Sequence, residues 1–116
     1  MCLAPAAAWN QEATLQFESS GVMSRINDKG SVRVAAKTVD QVVRALGVAR
    51  VDFIKADIEG AERLAIQGAA ETISKFRPRM ALCTYHLPDD PQVIPAAVQK
   101  ITPYAWALAA LYDTTL

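Results

Sequence analysis

The chain has 116 residues and a mass of 12.5 kDa, which is the size of one small domain. Its 12 basic and 12 acidic side chains cancel, so charge favours neither a nucleic-acid partner nor a membrane surface. No apolar run approaches the roughly 20 residues that span a bilayer, and the apolar start lacks the Lys or Arg of a signal peptide. Two cysteines are too few for a disulfide scaffold or a four-ligand zinc site. The sequence therefore predicts a cytoplasmic globular domain.

The first third of the chain has the alternating pattern of half-buried strands. Residues 13–18 and 31–35 alternate apolar and polar side chains, and turn signals lie between them at 19–21 and 27–30. This pattern predicts a hairpin, or two edge strands, within a variable region over residues 1–36.

The rest of the chain, residues 37–116, alternates strand and helix patterns. Thr38 is a natural N-cap and Gly47 a natural C-terminal stop for the first helix. The predicted elements are a helix over 39–46, a strand over 51–57, a helix over 61–76 with a break at Gly68, a buried strand over 79–85, and a helix from Pro95 to about Ile101. This order predicts an α/β fold with a mostly parallel sheet and flanking helices.

The aromatic side chains and Cys83 are predicted to lie in the core, because aromatic rings carry a large apolar area. The aromatic residues concerned are Trp9, Phe17, Phe53, Phe76 and Trp106.

Polar side chains follow both predicted strands of this second part. Asp57 ends the first strand, and Tyr85 and His86 end the second. Because ligands of open α/β sheets bind beyond the carboxyl ends of the strands, we expect chemistry at this edge, first of all in residues 55–62.

Residues 51–62 read Val-Asp-Phe-Ile-Lys-Ala-Asp-Ile-Glu-Gly-Ala-Glu. This run resembles the signature of FkbM-type methyltransferases, and the likeness continues in order through most of the chain. The further matching segments are Thr38–Asp40, Gln67–Ala69, Pro78, Tyr85–Asp90 and Ile94–Pro95. The resemblance implies a Rossmann-like O-methyltransferase that depends on S-adenosylmethionine and methylates a hydroxyl group of a small molecule or glycan.

One feature of such enzymes is absent from this sequence. The five glycines never occur as Gly-x-Gly, although a glycine-rich turn lets the backbone approach a nucleotide closely. The resemblance therefore implies a partial fold, the C-terminal half of the domain, with the N-terminal cofactor-binding strands missing. We expect such a chain to bind the cofactor weakly or not at all and to be inactive alone.

The resemblance, together with the positions of the residues, implies roles for five residues, and four of them have an alternative. Asp57 would be catalytic and would anchor cofactor or substrate, or else it interacts with the N-terminus of the next helix. Glu59 would contact the cofactor and Glu62, with Tyr85, would shape the substrate side. The two glutamates could instead cap the helix, or bind a divalent cation together with Asp57. His86 would be the base that takes the hydroxyl proton, or else a structural imidazole bound to Asp89 or Asp90.

Two other functions stay open on the sequence alone. A truncated, non-catalytic module would have an unpaired sheet edge beside residues 51–57, which predicts self-association. A complete small binding domain that shares the signature by chance would unfold cooperatively.

Overall fold

The computed structural model describes residues 4–20, 23–26 and 32–108, with side chains described over 4–16 and 33–108. The elements in chain order are β1 (Ala7–Ala8), β2 (Ala13–Ser20), β3 (Met23–Ile26), β4 (Val32–Lys37), α1 (Val39–Ala45), β5 (Phe53–Ala56), α2 (Glu62–Gln67), α3 (Ala70–Phe76), β6 (Arg79–Leu82) and α4 (Asp90–Ile101). Among these helices none is long and apolar enough to cross a membrane.

The strands form two sheets. One has the order β1-β4-β2-β3, in which β2 is antiparallel to both neighbours and β1 is parallel to β4. The other contains β5 and β6, which are parallel and pair Ile54 with Met80. The predicted α/β class is confirmed. The predicted mostly parallel sheet is confirmed only in part, because β5 and β6 are parallel whereas β2 is antiparallel to β3 and β4. A connection as short as the one between β2 and β3 can join only antiparallel strands. The turn predicted at 27–30 lies outside the described residues.

Helix α1 begins and ends as the sequence predicts. The Thr38 hydroxyl accepts from the Gln41 N–H at 3.0 Å, and the Gln41 side chain accepts from the Thr38 N–H at 2.9 Å. Gly47 follows the helix with a φ of +63°, a conformation that glycine adopts without a Cβ penalty.

The predicted start of α4 is wrong. The helix begins at Asp90, with Pro91 in its first turn and Pro95 inside the helix. The fixed φ angle of proline suits the first turn of a helix, so either proline is compatible with a helix start. Pro91, the earlier of the two, occupies that position.

The predicted break at Gly68 is confirmed, and a close backbone contact explains why this residue is glycine. A Cβ built at Gly68 would lie 2.1 Å from the Trp9 carbonyl oxygen. The Gly68 carbonyl accepts from the Asp40 N–H at 3.0 Å. Beyond this point the Asp40 carboxylate accepts from the amides of Glu71 and Thr72, at 3.0 and 2.8 Å, and from the Thr72 hydroxyl at 2.6 Å. Asp40 therefore supplies from a distance the cap that α3 lacks in its own sequence.

The core lies between the helices and one face of β5 and β6. Its buried members are Ile66, Ala69, Ile73, Ile94 and Val98, with Ile54, Met80 and Leu82 packed against them. The opposite face of the two strands is exposed, since both strands alternate between exposed and half-buried residues.

This one-sided packing corrects three predictions of burial. The side chain of Phe53 is 55% exposed and that of Trp106 is 56% exposed, so neither lies in the core. Strand β6 is shorter than predicted, and half of its residues are exposed. Cys83 follows the strand and is half buried, and this burial raises the pKa of its thiol. Parallel strands are buried on both faces only where helices cover both, and the described helices cover one. Trp9 and Phe76 are half buried, and the side chain of Phe17 lies outside the described residues.

Candidate functional site

The turn after β5 is held in an unusual conformation by one buried carboxylate. Glu59 and Gly60 have φ angles of +55° and +99°, and a non-glycine residue in this region is uncommon. The Glu62 carboxylate accepts from the Ile58 N–H at 2.6 Å and from the Gly60 N–H at 3.1 Å. The predicted capping by Glu62 thus takes another form: it stabilises the turn ahead of α2, while the helix itself has no side-chain cap.

His86 follows β6 and lies against this turn. Its Nε2 is 3.3 Å from Asp57 Oδ1 and 3.5 Å from Glu59 Oε2. Its Nδ1 is 3.5 Å from Glu62 Oε1. The imidazole side chain is 11% exposed and the Glu62 side chain 1%, whereas Asp57 and Glu59 are exposed. One side of the ring therefore faces the protein interior and the other faces the surface.

Tyr85 completes the group on the exposed side. Its hydroxyl donates to Asp57 Oδ1 at 3.2 Å, and its ring lies 4.4 Å from the His86 ring, centroid to centroid. Mainly two effects raise the pKa of the Tyr85 hydroxyl to about 12. The larger is its hydrogen bond with Cys83, and the smaller is partial desolvation of the phenol. The phenol is therefore a hydrogen-bond donor at neutral pH. We call the five residues Asp57, Glu59, Glu62, Tyr85 and His86 the site cluster.

The alternative in which His86 binds Asp89 or Asp90 is not what the structure has. Both aspartates bind Arg63, whose Nη2 is 2.8 Å from Asp89 Oδ1. Asp90 is buried and also accepts from the Leu87 N–H at 3.0 Å. Arg63 lowers the pKa of Asp89 through this hydrogen bond.

The ion pairs of Arg63 with Asp89 and Asp90 fix the loop that carries His86. Sequence reasoning missed Arg63. The available signal was an arginine directly after Glu62, together with the adjacent aspartates Asp89 and Asp90 further along the chain. Charged pairs of that kind are common on surfaces, so the pattern alone did not single out Arg63.

The site cluster offers the ligand types that divalent cations take. One atom each from Asp57, Glu62 and His86 lies within 4.8 Å of the others. Both Glu62 oxygens already accept backbone amides, so Asp57 and Glu59 are the carboxylates left to contact a ligand.

A separate cavity of about 390 Å³ lies beside β6 and α4. Met80, Ile94, Tyr104 and Trp106 are among the residues that line it, and the site cluster does not contribute to it. Whatever binds at the cluster is held at an open edge of the sheet and not in this cavity.

Residues 2–102 match the model of the methyltransferase FkbM domain. The chain belongs to the FkbM methyltransferase family. The structure also resembles the crystal structure of the methyltransferase FkbM from Methylobacillus flagellatus KT, with a TM-score of 0.62 and 22% sequence identity. That likeness covers 83% of this chain and 21% of the other, so this FkbM-family chain spans about a fifth of its length. No match was found among proteins with curated functions.

The predicted site residues of this FkbM-family chain lie together. Asp57 and Glu59 come from the turn after β5, Glu62 from the start of α2, and Tyr85 and His86 from the loop after β6. Their proximity is a finding, and the role assigned to each residue stays a prediction.

Proposed function

We propose that this chain forms the acceptor-activating edge of an O-methyltransferase that uses S-adenosylmethionine. In this proposal His86 Nε2 takes the proton from an acceptor hydroxyl as the methyl group is transferred. Asp57 orients the acceptor or cofactor, and Tyr85 and Glu62 shape the site around them. The observation that carries the proposal is the placement of a single imidazole with Nε2 toward two exposed carboxylates at 3.3 and 3.5 Å.

The surroundings of His86 suit a group that gains a positive charge during the reaction. Taking a proton turns the ring into an imidazolium, and carboxylates on both sides stabilise that cation. Because Nδ1 is buried and Nε2 is on the side of the exposed residues, Nε2 is the nitrogen within reach of an acceptor. A base must first be within hydrogen-bond reach of the proton that it removes.

The cofactor fits this chain only in part. Asp57 and Glu59 are exposed acceptors that suit hydroxyl or ammonium donors such as those of S-adenosylmethionine. The sequence has no Gly-x-Gly turn to approach the nucleotide, so the residues present would hold only part of the cofactor. When bound, the cofactor supplies the methyl group. We propose that its other contacts come from residues outside this sequence, and that the chain alone is inactive.

The proposed acceptor is a hydroxyl of a small molecule or glycan in the cytoplasm. No nucleic acid or membrane is part of the proposal, because acidic and basic side chains are equal in number. The open position of the site cluster is compatible with an acceptor larger than the group that is methylated.

Transfer of a labelled methyl group tests the proposal in a complete FkbM enzyme that contains this chain. His86→Gln should lower kcat about 100-fold or more, the range expected on loss of a general base. Asp52→Asn is a control, because Asp52 pairs with Arg50 on the surface and should leave turnover unchanged. Near-wild-type turnover of His86→Gln across pH would rule out the base. Tight binding of S-adenosylmethionine by the isolated chain would contradict its proposed inactivity.

Self-association through the sheet edge is a second candidate. Within the described residues β5 pairs only with β6, and Phe53 on β5 is 55% exposed. Unpaired strand edges are templates for pairing with another chain. Sedimentation velocity over a range of concentrations should then show dimers that Phe53→Ser weakens. A monomer at every concentration would exclude this candidate.

A further inference from the structure

Glu62 and His86 meet in the buried half of the site cluster, where His86 Nδ1 is out of contact with bulk solvent. His86 Nδ1 is buried and makes no standard hydrogen bond in the described structure. The nearby acceptor is Glu62 Oε1 at 3.5 Å. A buried polar nitrogen without a partner is costly, so this pair determines which ring nitrogen carries the proton.

Two arrangements of the neutral ring have very different energies. If the proton is on Nε2, the lone pair of Nδ1 faces a carboxylate oxygen in the interior, and two acceptors oppose each other. If the proton is on Nδ1, it points at that oxygen and forms a charge-assisted contact. Nε2 then has its lone pair toward the Asp57 and Glu59 oxygens at 3.3 and 3.5 Å, but these carboxylates are exposed, so solvent reduces the repulsion there and not at buried Glu62.

We infer that Glu62 is a positioning residue that holds neutral His86 as the Nδ1–H tautomer and leaves Nε2 as the proton acceptor. The same carboxylate accepts the amides of Ile58 and Gly60, so it sets the strained turn and the ring orientation together. A carboxylate that binds one ring nitrogen fixes the tautomer available at the other. The tautomer is inferred from the burial and the contacts of the ring, whereas its use in catalysis rests on the proposed function.

Nitrogen-15 NMR of the full chain tests the tautomer directly, because His86 is the only histidine in the sequence. Long-range proton–nitrogen correlations, recorded where the ring is neutral, distinguish Nδ1–H from Nε2–H. We expect the Nδ1–H pattern in the wild-type chain. An Nε2–H pattern, or the spectrum of a disordered chain, would overturn the inference.

A variant of Glu62 tests the cause. Glu62→Met keeps a similar length and removes both oxygens, so the proton should move to Nε2, where Asp57 and Glu59 accept it. Glu59→Gln is the matched control and should keep the Nδ1–H pattern. If Glu62→Met does not fold, Glu62→Gln leaves one acceptor oxygen for three N–H donors, and the Nδ1–H share should fall. An unchanged pattern in the folded Glu62 variant would overturn the role of Glu62.

The outcome is separable from that of the methyl-transfer assay. An Nδ1–H tautomer in this chain, found together with no methyl transfer by the complete FkbM enzyme that contains it, supports the inference and ends the proposed function. Methyl transfer that depends on His86, in a protein whose His86 is the Nε2–H tautomer, supports the proposed function and overturns the inference. If both hold, Glu62→Met should lower kcat by a larger factor than it raises the acceptor KM. Glu62 acts on the proton transfer through His86, and it affects the acceptor only through the turn at Asp57 and Glu59.

Discussion

Asp40 and Glu62 each receive two backbone amides, yet the surroundings of the two carboxylates differ. Asp40 binds the amides of Glu71 and Thr72, and the Thr72 hydroxyl completes its contacts. Glu62 binds the amides of Ile58 and Gly60 and then faces a histidine nitrogen that has no hydrogen bond.

This difference separates a carboxylate whose contacts are all within the backbone and side chains of a helix start from one that also faces an imidazole. Around Asp40, every donor in the group is paired within the fold, and the result is a capped helix. Around Glu62, the paired amides support a ring whose other nitrogen faces outward, toward two exposed carboxylates. Polar atoms without a hydrogen bond within the described structure, more than the presence of acidic residues, distinguish the second region.

The largest expected effect on stability is in the Asp40 region, at Gly68. Gly68→Ala places a Cβ 2.1 Å from the Trp9 carbonyl oxygen, so the backbone must shift. We expect a loss of about 1–3 kcal/mol in the free energy of unfolding, measured by urea denaturation. Gly47→Ala is the control, because its Cβ meets nothing within 4 Å and only the left-handed backbone opposes it. A smaller loss at Gly68 than at Gly47 would contradict the close contact.

Removing the Asp40 carboxylate should have a slightly smaller effect. Asp40→Ala leaves the amides of Glu71 and Thr72 without their acceptor, which should cost about 1–2 kcal/mol, as the loss of a helix cap does. Urea denaturation measures this cost, and NMR should show the His86 tautomer unchanged. A changed tautomer would mean that the two carboxylates do not act independently.

The smallest effect is expected at the rim of the site cluster, at Asp89. Arg63 lowers the pKa of Asp89 in the folded chain, so the ionised carboxylate adds stability above its ordinary pKa of about 4. That stability is lost as the pH falls through the lowered pKa of Asp89, because the carboxylate is then protonated in both the folded and the unfolded chain. The side chain is 61% exposed, so the gain is small and screened by salt. Wild type and Asp89→Asn should therefore differ slightly at neutral pH and converge in acid. A difference that is independent of pH would contradict the pairing.

Local patterns predicted those parts of the fold that depend on local chemistry. Thr38 and Gly47 mark the ends of α1 because caps and left-handed turns are decided within a few residues. The placement of Asp57 and His86 at one edge followed from the strand order, since parallel strands end on the same side.

The features that sequence reasoning missed depend on distant contacts. Asp40 caps α3 from another helix, and Arg63 reaches Asp89 and Asp90 at the start of α4. The exposure of Phe53 has the same origin, because it depends on which elements cover the second face of the sheet. No local pattern contains that information.

The contact between Trp9 and Gly68 has a consequence for synthesis of the chain. The pairing of β2 with β3 joins neighbouring segments and can form early. The docking of the Trp9 backbone must wait until Gly68 has left the ribosome, and the cap from Asp40 to α3 waits with it. The first strands are therefore synthesised well before the Gly68 backbone that docks against Trp9, and in this interval they lack that contact.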